Sequence, residues 1–174
     1  MNDSEPVWSP KGTTLLFTRR SLFSGEGGLY FVKADGKGLT KFLDGADSAS
    51  WGSKGLIAFV RNGDIYRIKA DGSGLKRLTK SKDEDGDPDW SPGESKLIFT
   101  RGPFGETHLY TMGANAKGLR RITRKRSPRR NPVWAPDANR ILFADFDDVR
   151  TANPDGSKGK KVGDGFGPAW GRRP

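Results

Sequence analysis

The sequence predicts an all-β fold, and three observations lead to this prediction. The chain has 24 Gly and 11 Pro among its 174 residues, and such an abundance of turn formers is typical of short strands joined by tight turns. Short runs of β-branched and aromatic residues recur, whereas no longer window carries a sustained apolar stripe with helical spacing. Finally, the five tryptophans recur at intervals of 36 to 44 residues, a period that indicates a solenoid or a propeller.

The tryptophans mark copies of one repeat, and the copies share an internal order. A Pro/Gly turn follows the tryptophan, and after it come apolar strands at 15–18, 56–60, 97–100 and 141–144. The second strand of each copy is centred on Tyr30, Tyr66, Tyr110 or Val149. Turns of the Asp/Asn-Gly type then predict hairpins, because these residues accept positive φ; they lie at 34–38, 70–74, 114–118 and 154–157. A short basic strand closes each copy.

Four strands in roughly forty residues, when repeated, predict the blades of a β-propeller. We therefore expect one domain over 1–174, a complete or partial propeller of four-stranded antiparallel blades. Its repeats span approximately 6–47, 48–86, 87–130 and 131–166, with an extra inner strand at 167–170. The tryptophan strand is innermost in this geometry, and the basic strand is outermost. The predicted structural core consists of Trp8, Trp51, Trp90, Trp134, Trp170, Tyr30, Tyr66 and Tyr110.

The repeat resembles the WD-like repeat of TolB-like β-propellers, which also occurs in propeller domains of prolyl-oligopeptidase-type hydrolases. The resemblance rests on Pro-x-Trp-Ser-Pro before an Ile/Leu-x-Phe strand, and on segments such as DIYRIKADGSGLKRLT at 64–79. It covers 6–170 but departs at Trp51-Gly52, which lacks Ser-Pro, and at Val149-Arg150-Thr151, which replaces the Ile-Tyr strand. The resemblance implies protein–protein recognition in the bacterial envelope, in the periplasm or outside the cell.

The number of blades differs from that of the family. TolB propellers have six blades, whereas this chain has four sets of outer strands and five tryptophan strands. The segment 167–170 could close a four-bladed ring in competition with Val7-Trp8, begin a further blade, or pair with a second chain. Because unpaired strand edges promote association, we expect a partial propeller completed by association, for example as a homo-oligomer.

The composition indicates a soluble protein. The net charge is +10, from 31 Lys and Arg against 21 Asp and Glu, and it favours anionic partners or simply maintains solubility. There is no Cys, which excludes disulfides and thiolate chemistry. The N-terminus has neither a basic n-region nor an apolar h-region, and no stretch reaches membrane-spanning length. We expect no signal peptide and no membrane insertion, while the compartment stays open.

Catalytic motifs are not apparent, and we expect no enzyme activity. His108 is the only histidine, and we interpret it as structural. No Gly-x-Ser-x-Gly elbow is present, and the oligopeptidase relatives carry catalysis on a separate α/β domain. An alternative hypothesis is that the chain is an accessory propeller domain of a peptidase or another hydrolase.

The positions three residues before the tryptophans are candidates for partner binding: Glu5, Ser48, Asp87 and Asn131. Residues that enter the inner strands of such propellers line the mouth of the central channel, where partners or ions dock. Polar side chains also suit a water-filled channel, so a purely structural interpretation stands beside the functional one. Our first hypothesis is a non-catalytic scaffold that binds a protein or peptide across this face.

The acidic segment 83–89 is a candidate calcium site, because Ca²⁺ prefers oxygen ligands. The candidate ligands are Asp83, Asp85, Asp87 and Asp89. The segment lacks the final Glu of an EF-hand, and a solvated acidic loop is the alternative. Apart from Ca²⁺ we expect no cofactor.

The basic segment 120–130 is a candidate anion-binding site: it contains Arg120, Arg121, Arg124, Lys125, Arg126, Arg129 and Arg130. Such a patch attracts phosphates, but no aromatic residues are interleaved to stack on bases. Nucleic-acid binding is therefore disfavoured without being excluded. An exposed loop or a docking site for an acidic protein is the alternative.

Overall fold

A computed structural model describes residues 1–24, 26–103, 105–125 and 127–170. These residues form sixteen β-strands and no helix. The strands make four separate antiparallel sheets, and each sheet takes its four strands in chain order. The all-β class and the four-stranded blades are therefore confirmed.

The four blades follow one after another along the chain. Blade 1 consists of β1 Asn2–Trp8, β2 Thr14–Arg20, β3 Gly27–Lys33 and β4 Thr40–Asp44. Blade 2 consists of β5 Ala46–Trp51, β6 Leu56–Arg61, β7 Asp64–Lys69 and β8 Lys76–Arg77. Blade 3 consists of β9 Asp85–Trp90, β10 Lys96–Arg101, β11 His108–Gly113 and β12 Arg120–Arg121. Blade 4 consists of β13 Arg129–Trp134, β14 Ile141–Asp145, β15 Asp148–Ala152 and β16 Lys160–Asp164.

The hairpin between the third and fourth strands is built in the same way in every blade. A side-chain oxygen of Asp35, Asp71, Asn115 or Asp155 accepts a hydrogen bond from the N–H two residues later, at 2.8 to 3.0 Å. The residue after it has positive φ, and three blades have Gly there. Blade 3 instead has Ala116, with a φ of 70°. The turn chemistry that predicts the hairpins is thus present, with one strained position.

Three apolar clusters join neighbouring blades. Blades 2 and 3 each have a neighbouring blade on both sides. Their second strands contribute to two of the clusters, because successive side chains of a strand point to opposite faces. In blade 2, Phe59 packs toward blade 1 and Ala58 toward blade 3. In blade 3, Phe99 packs toward blade 2 and Ile98 toward blade 4. Within the described ranges no such cluster joins blade 4 to blade 1, so the four blades form an open arc.

The tryptophans are buried only where two blades meet. Trp90 and Trp134 are 5% and 7% exposed, and the Trp51 ring lies 5.3 Å from that of Phe31 in blade 1. Trp8 is 53% exposed and Trp170 is 38% exposed, so the prediction of a core role is wrong for these two. Trp8 lies on the face of blade 1 that no preceding blade covers, and a sheet buries its apolar side chains only against a second layer.

The three tyrosines stack on the phenylalanine of the neighbouring strand. The ring centroids of Phe17 and Tyr30, of Phe59 and Tyr66, and of Phe99 and Tyr110 lie 6.1, 5.7 and 5.8 Å apart. Blade 4 breaks this pattern. Its register pairs Phe143 with Arg150, so Arg150 takes the tyrosine position that the sequence assigns to Val149.

Residues 167–170 do not form the predicted inner strand and have no regular secondary structure. A strand forms only beside a hydrogen-bonding partner, and the described chain has no further strand after β16. Completion of the arc by association stays a prediction. Sedimentation velocity at several concentrations would test it, and a monomer at all of them would contradict it.

The second repeat lacks the Ser-Pro that follows the tryptophan in the first and third repeats, and packing explains this difference. In blades 1 and 3, Ser9 and Ser91 accept hydrogen bonds from N–H groups of the turn that follows, at 3.0 to 3.2 Å. Blade 2 has Gly52 there, and Glu94 of blade 3 supplies the acceptor: its Oε1 accepts from two N–H groups of the turn, at 2.5 and 3.3 Å. A Cβ at Gly52 would lie 2.6 Å from Cγ of Glu94, which explains why the position has no side chain.

Candidate functional site

Each inner strand has a bulge at the position three residues before its tryptophan. Glu5, Ser48, Asp87 and Asn131 occupy these positions with φ of 53°, 47°, 48° and 48°, and the strand register shifts at the same points. A β-bulge re-aims a side chain. A left-handed conformation with a Cβ is strained, and such strain clusters at functional sites.

The structure brings these four residues together. They line the central channel, a cavity of about 150 Å³ between the four inner strands. Glu5, Asp87 and Asn131 also line an adjoining recess of about 330 Å³, together with Glu84 and Arg130. We call the channel and the recess together the channel mouth. The binding role that the sequence suggests for this site stays a prediction.

Hydrogen bonds link the bulge of blade 1 to that of blade 2, and the bulge of blade 3 to that of blade 4. Oε2 of Glu5 accepts from the Ser48 N–H at 3.1 Å and from the Thr18 hydroxyl at 3.2 Å. Oδ2 of Asp87 accepts from the Asn131 N–H at 3.2 Å and from the Thr100 hydroxyl at 3.4 Å. Blades 1 and 3 thus share an acid-threonine pair. Neither threonine was predicted as a site residue, although their common position ten residues after a tryptophan is visible in the sequence.

Burial perturbs the ionisation of Asp87 in the channel mouth. It raises the pKa of Asp87, and the nearby Glu5 carboxylate adds to this effect, whereas the hydrogen bond from the Asn131 N–H opposes it. Outside the channel mouth, burial also raises the pKa of Asp47, and the Arg20 guanidinium opposes this rise. The site therefore holds negative charge at a cost, which a cationic ligand would relieve.

Asp89 lines the channel and connects three blades. Its Oδ1 accepts from the Ser50 hydroxyl of blade 2 at 2.9 Å, and its Oδ2 accepts from the Trp134 N–H of blade 4 at 2.8 Å. Burial raises the pKa of Asp89 to about 6, although these hydrogen bonds oppose the rise. Asp89 is thus the most strongly perturbed carboxyl that lines the channel.

The structure does not bring the four candidate calcium ligands of the acidic segment together. Asp85 pairs with Arg101 at 2.5 and 2.9 Å, while Asp87 and Asp89 accept hydrogen bonds from residues of different blades. Asp83 is exposed outside the strand. Across the described residues no group of three or more His, Cys, Asp or Glu side chains could hold a metal ion. The bulge is the reason, because it separates side chains that are adjacent in sequence.

The structure places the residues of the basic segment in four different environments or ranges. Arg120, Arg121, Arg124 and Lys125 are exposed. Arg130 lines the recess of the channel mouth. Arg126 lies outside the described residues.

Arg129 is 9% exposed and is not an anion site. Its Nη2 lies 3.4 Å from Oδ2 of Asp145, and its Nη1 donates to the Lys125 carbonyl at 2.5 Å. The anion-binding prediction is therefore wrong for this residue, because β13 turns it into the blade, where an acid on β14 pairs with it.

His108 is a buried residue at the start of β11. It is 7% exposed, and its Nδ1 lies 3.3 Å from the Thr123 hydroxyl. The described part of the chain contains no helix that is long and apolar enough to cross a membrane.

Comparison with solved structures finds the same architecture. TolB from Acinetobacter baumannii matches with a TM-score of 0.76 and 16% identity, over 94% of this chain and 44% of that chain. A putative TolB from Agrobacterium tumefaciens matches with a TM-score of 0.72 and 19% identity, over 95% and 83%. Oligogalacturonate lyase from Vibrio parahaemolyticus matches with a TM-score of 0.68 and 14% identity, over 90% and 51%.

The chain spans less than half the length of the A. baumannii TolB chain. No protein-family model matches the sequence, and neither does any curated protein. Similarity below 25% identity establishes the fold alone. The chain is a β-propeller built of four-stranded antiparallel blades.

Proposed function

We propose that this chain is a non-catalytic scaffold that binds a protein or peptide at the channel mouth. The observation that carries the proposal is the convergence of Glu5, Ser48, Asp87 and Asn131 on one cavity, each in a left-handed conformation. Strain of this kind persists only where the surrounding structure holds it, and it is concentrated at ligand sites.

The charge of the channel mouth suggests what its occupant carries. The whole chain has a net charge of +10, yet Glu5, Glu84 and Asp87 line the recess. Arg130 and the buried Arg129 are the basic residues beside them. A local reversal of sign selects partners by charge complementarity. We therefore favour a lysine or arginine side chain, or an amino terminus, as the group that enters.

The carboxylates retain acceptor capacity for such a group. Within the described residues Oδ1 of Asp87 accepts no hydrogen bond, and Oε1 of Glu5 accepts only one of 3.4 Å from Ser48. Each carboxylate oxygen has two lone pairs, and a guanidinium offers five N–H donors in one plane. A cation can therefore bind between these side chains without breaking the hydrogen bonds from Ser48 to Glu5 and from Asn131 to Asp87.

The size of the site favours a loop or a chain end of the partner. Pockets for small ligands measure about 300–1,000 Å³, and the recess of about 330 Å³ lies at the lower end of this range. It can take one long side chain and a short piece of backbone. The surrounding loops would contact the rest of the partner.

A peptide pair tests this proposal. The probes are a fluorescein-labelled peptide, Gly-Ser-Gly-Arg-Gly-Ser-Gly, and the same peptide with Gln in place of Arg. Fluorescence anisotropy should show tighter binding of the arginine peptide to the native protein. The double variant Glu5→Gln and Asp87→Asn should lose this preference, since it keeps the shape of both side chains and removes their charge.

The matched control removes two exposed carboxyls elsewhere, through Glu26→Gln and Asp147→Asn, and should keep the preference. Equal binding of both peptides to the native protein would contradict the cationic occupant. An unchanged preference in the double variant would contradict the site.

The rival proposal is catalysis, either as an accessory domain of a hydrolase or directly. Oligogalacturonate lyase shows that an enzyme can have a similar fold. Against this stands the position of His108, which is buried beside Thr123 and does not line the channel mouth. We expect neither casein nor polygalacturonate to be converted by the purified chain, and turnover of either would overturn the non-catalytic assignment.

A further inference from the structure

Blade 4 replaces an aromatic stack by a cluster of charges. In blade 3 the Arg101 guanidinium lies 5.4 Å from the ring of Phe99 and 5.1 Å from that of Tyr110, and Asp85 pairs with it. Blades 1 and 2 have the same Phe-Tyr-Arg stack. The register of blade 4 places Asp145 where the arginine lies, Arg150 where the tyrosine lies, and Arg129 where the acid of blades 1 and 3 lies.

Asp145 is the centre of the new cluster. It accepts a hydrogen bond from the Ser127 hydroxyl and pairs with Arg129 at 3.4 Å and with Nε of Arg150 at 3.7 Å. Arg150 also pairs with Asp148 at 3.3 Å. The negative charge of Asp145 is therefore shared between two arginines and offers little to a third cation.

A groove of about 700 Å³ has two walls. One wall is β12 and the residues after it, and the other is the face of blade 4. Its floor includes Ile141, Phe143 and Ala152, which also belong to the apolar cluster between blades 3 and 4. The exposed fractions of these three side chains are only 1%, 5% and 3%, so a ligand in the groove meets mainly its polar walls. We call this cavity the blade 3/4 groove.

The blade 3/4 groove is strongly basic. Six basic side chains line it against two carboxylates, those of Asp145 and Asp155. In the part of the chain that the structure describes, Arg121, Arg124 and Lys125 form no ion pair and are exposed. Uncompensated charges of one sign above an apolar floor attract a ligand of opposite charge.

We propose that the blade 3/4 groove binds an acidic peptide segment of a partner protein in an extended conformation. Arg120, Arg121, Arg124 and Lys125 line one side of this groove. Carboxylates of the peptide meet these cations.

The floor distinguishes a peptide from a nucleic acid. Bases bind single-strand sites by stacking on exposed aromatic faces, and Phe143, the aromatic residue of the groove, is only 5% exposed. A single phosphate would use only one or two of the cations. An acidic peptide, which offers several carboxylates in a row, is thus the occupant that matches the charges of the groove.

Fluorescence anisotropy with a labelled Glu-Leu-Glu-Gly-Glu-Leu-Glu peptide tests the proposal at physiological ionic strength. The triple variant Arg121→Gln, Arg124→Gln and Lys125→Gln should weaken binding about tenfold or more, since several modest ion pairs are lost together. A matched control removes three exposed lysines elsewhere, through Lys11→Gln, Lys37→Gln and Lys54→Gln, and should bind as the native protein does. Equal weakening in both triple variants would overturn the site, because attraction would then follow net charge alone.

A second variant tests the charge of Arg150, which also lines the groove. Arg150→Tyr restores the aromatic residue of the other blades and should also weaken the peptide, whereas Arg150→Lys, which keeps the charge, should weaken it less. Competition by unlabelled probes decides the ligand class: single-stranded DNA or inorganic phosphate that displaces the peptide more effectively than the unlabelled peptide itself would overturn the peptide assignment. The channel-mouth variant with Glu5→Gln and Asp87→Asn should leave this binding unchanged, so the groove and the proposed function fail or succeed separately.

Discussion

Asp89 is the carboxyl whose substitution tests the electrostatics of the channel most sharply. Burial raises its pKa from 3.8 to about 6, while hydrogen bonds from the Trp134 N–H and the Ser50 hydroxyl oppose the shift. A rise of about two pKa units corresponds to about 3 kcal/mol, an upper bound on the cost of the ionised form.

The sign follows from proton linkage. The folded protein binds the proton of Asp89 more tightly than the unfolded chain does, so the contribution of Asp89 to stability is fully present below pH 3.8 and is lost as the pH rises to about 6. Asp89→Asn removes this titration. The amide oxygen can still accept from the Trp134 N–H, and the amide nitrogen can donate to the rotatable Ser50 hydroxyl.

The free energy of unfolding of the variant should therefore rise relative to that of the native protein, by up to about 3 kcal/mol, as the pH rises from about 4 to about 7. Urea unfolding of both proteins at each pH measures the difference. The comparison cancels carboxyls common to both proteins, such as Asp3 and Asp148, whose pKa values are lowered by hydrogen bonds from Arg19 and Lys161. The variant Asp147→Asn, at an exposed position, controls for the loss of one surface charge.

Two results would refute this reasoning. A difference in stability that is independent of pH would mean that Asp89 does not bind its proton more tightly in the folded state. If the native protein instead became more stable relative to Asp89→Asn as the pH rises, the hydrogen bonds would outweigh burial and lower the pKa of Asp89.

Three further comparisons of variants test the packing. Trp90→Ala should cost about 3–5 kcal/mol in chemical denaturation, whereas Trp8→Ala should cost less than half as much because Trp8 is 53% exposed; equal losses would contradict the uncovered face of blade 1. Gly52→Ser should lower the melting temperature, since its Cβ meets Glu94. In a protein that already carries Glu94→Ala, Gly52→Ser should lower the melting temperature by less; strictly additive losses would show that the two sites do not share space. Ala116→Gly should raise the free energy of unfolding by about 1 kcal/mol, because a φ of 70° is strained with a Cβ; a calorimetric loss of stability would contradict this.

The features of the fold that depend on residues close together in the sequence could be predicted from the sequence. The Asp71-Gly72 turn and its counterparts encode hairpins through local backbone chemistry, and the alternation of Ala58 and Phe59 encodes a strand with two covered faces. The burial of a tryptophan is different, because it depends on whether another blade packs on it. Trp8 and Trp90 occupy the same position in the repeat but differ tenfold in exposure, at 53% and 5%.

The candidate site could be located from the sequence, but its chemistry could not. The tryptophan spacing placed Glu5 and Asp87 at equivalent positions, and the structure brings them to one cavity. The left-handed bulge is not visible in the sequence, since four different residue types adopt it. The pairing of Arg129 with Asp145 was also missed, because it depends on strand register and reverses the order of charges in Asp85 and Arg101.

The entry of a cationic group into the channel mouth is tested most directly by nuclear magnetic resonance. The N–H groups of Ser48 and Asn131 donate to the carboxylates of Glu5 and Asp87, so a cation bound there must change their environment. Titration of ¹⁵N-labelled protein with the arginine peptide should shift both amide resonances saturably, and the glutamine peptide should not. Shifts confined to the blade 3/4 groove or to the exposed face of blade 1, with Ser48 and Asn131 unchanged, would contradict the proposed function.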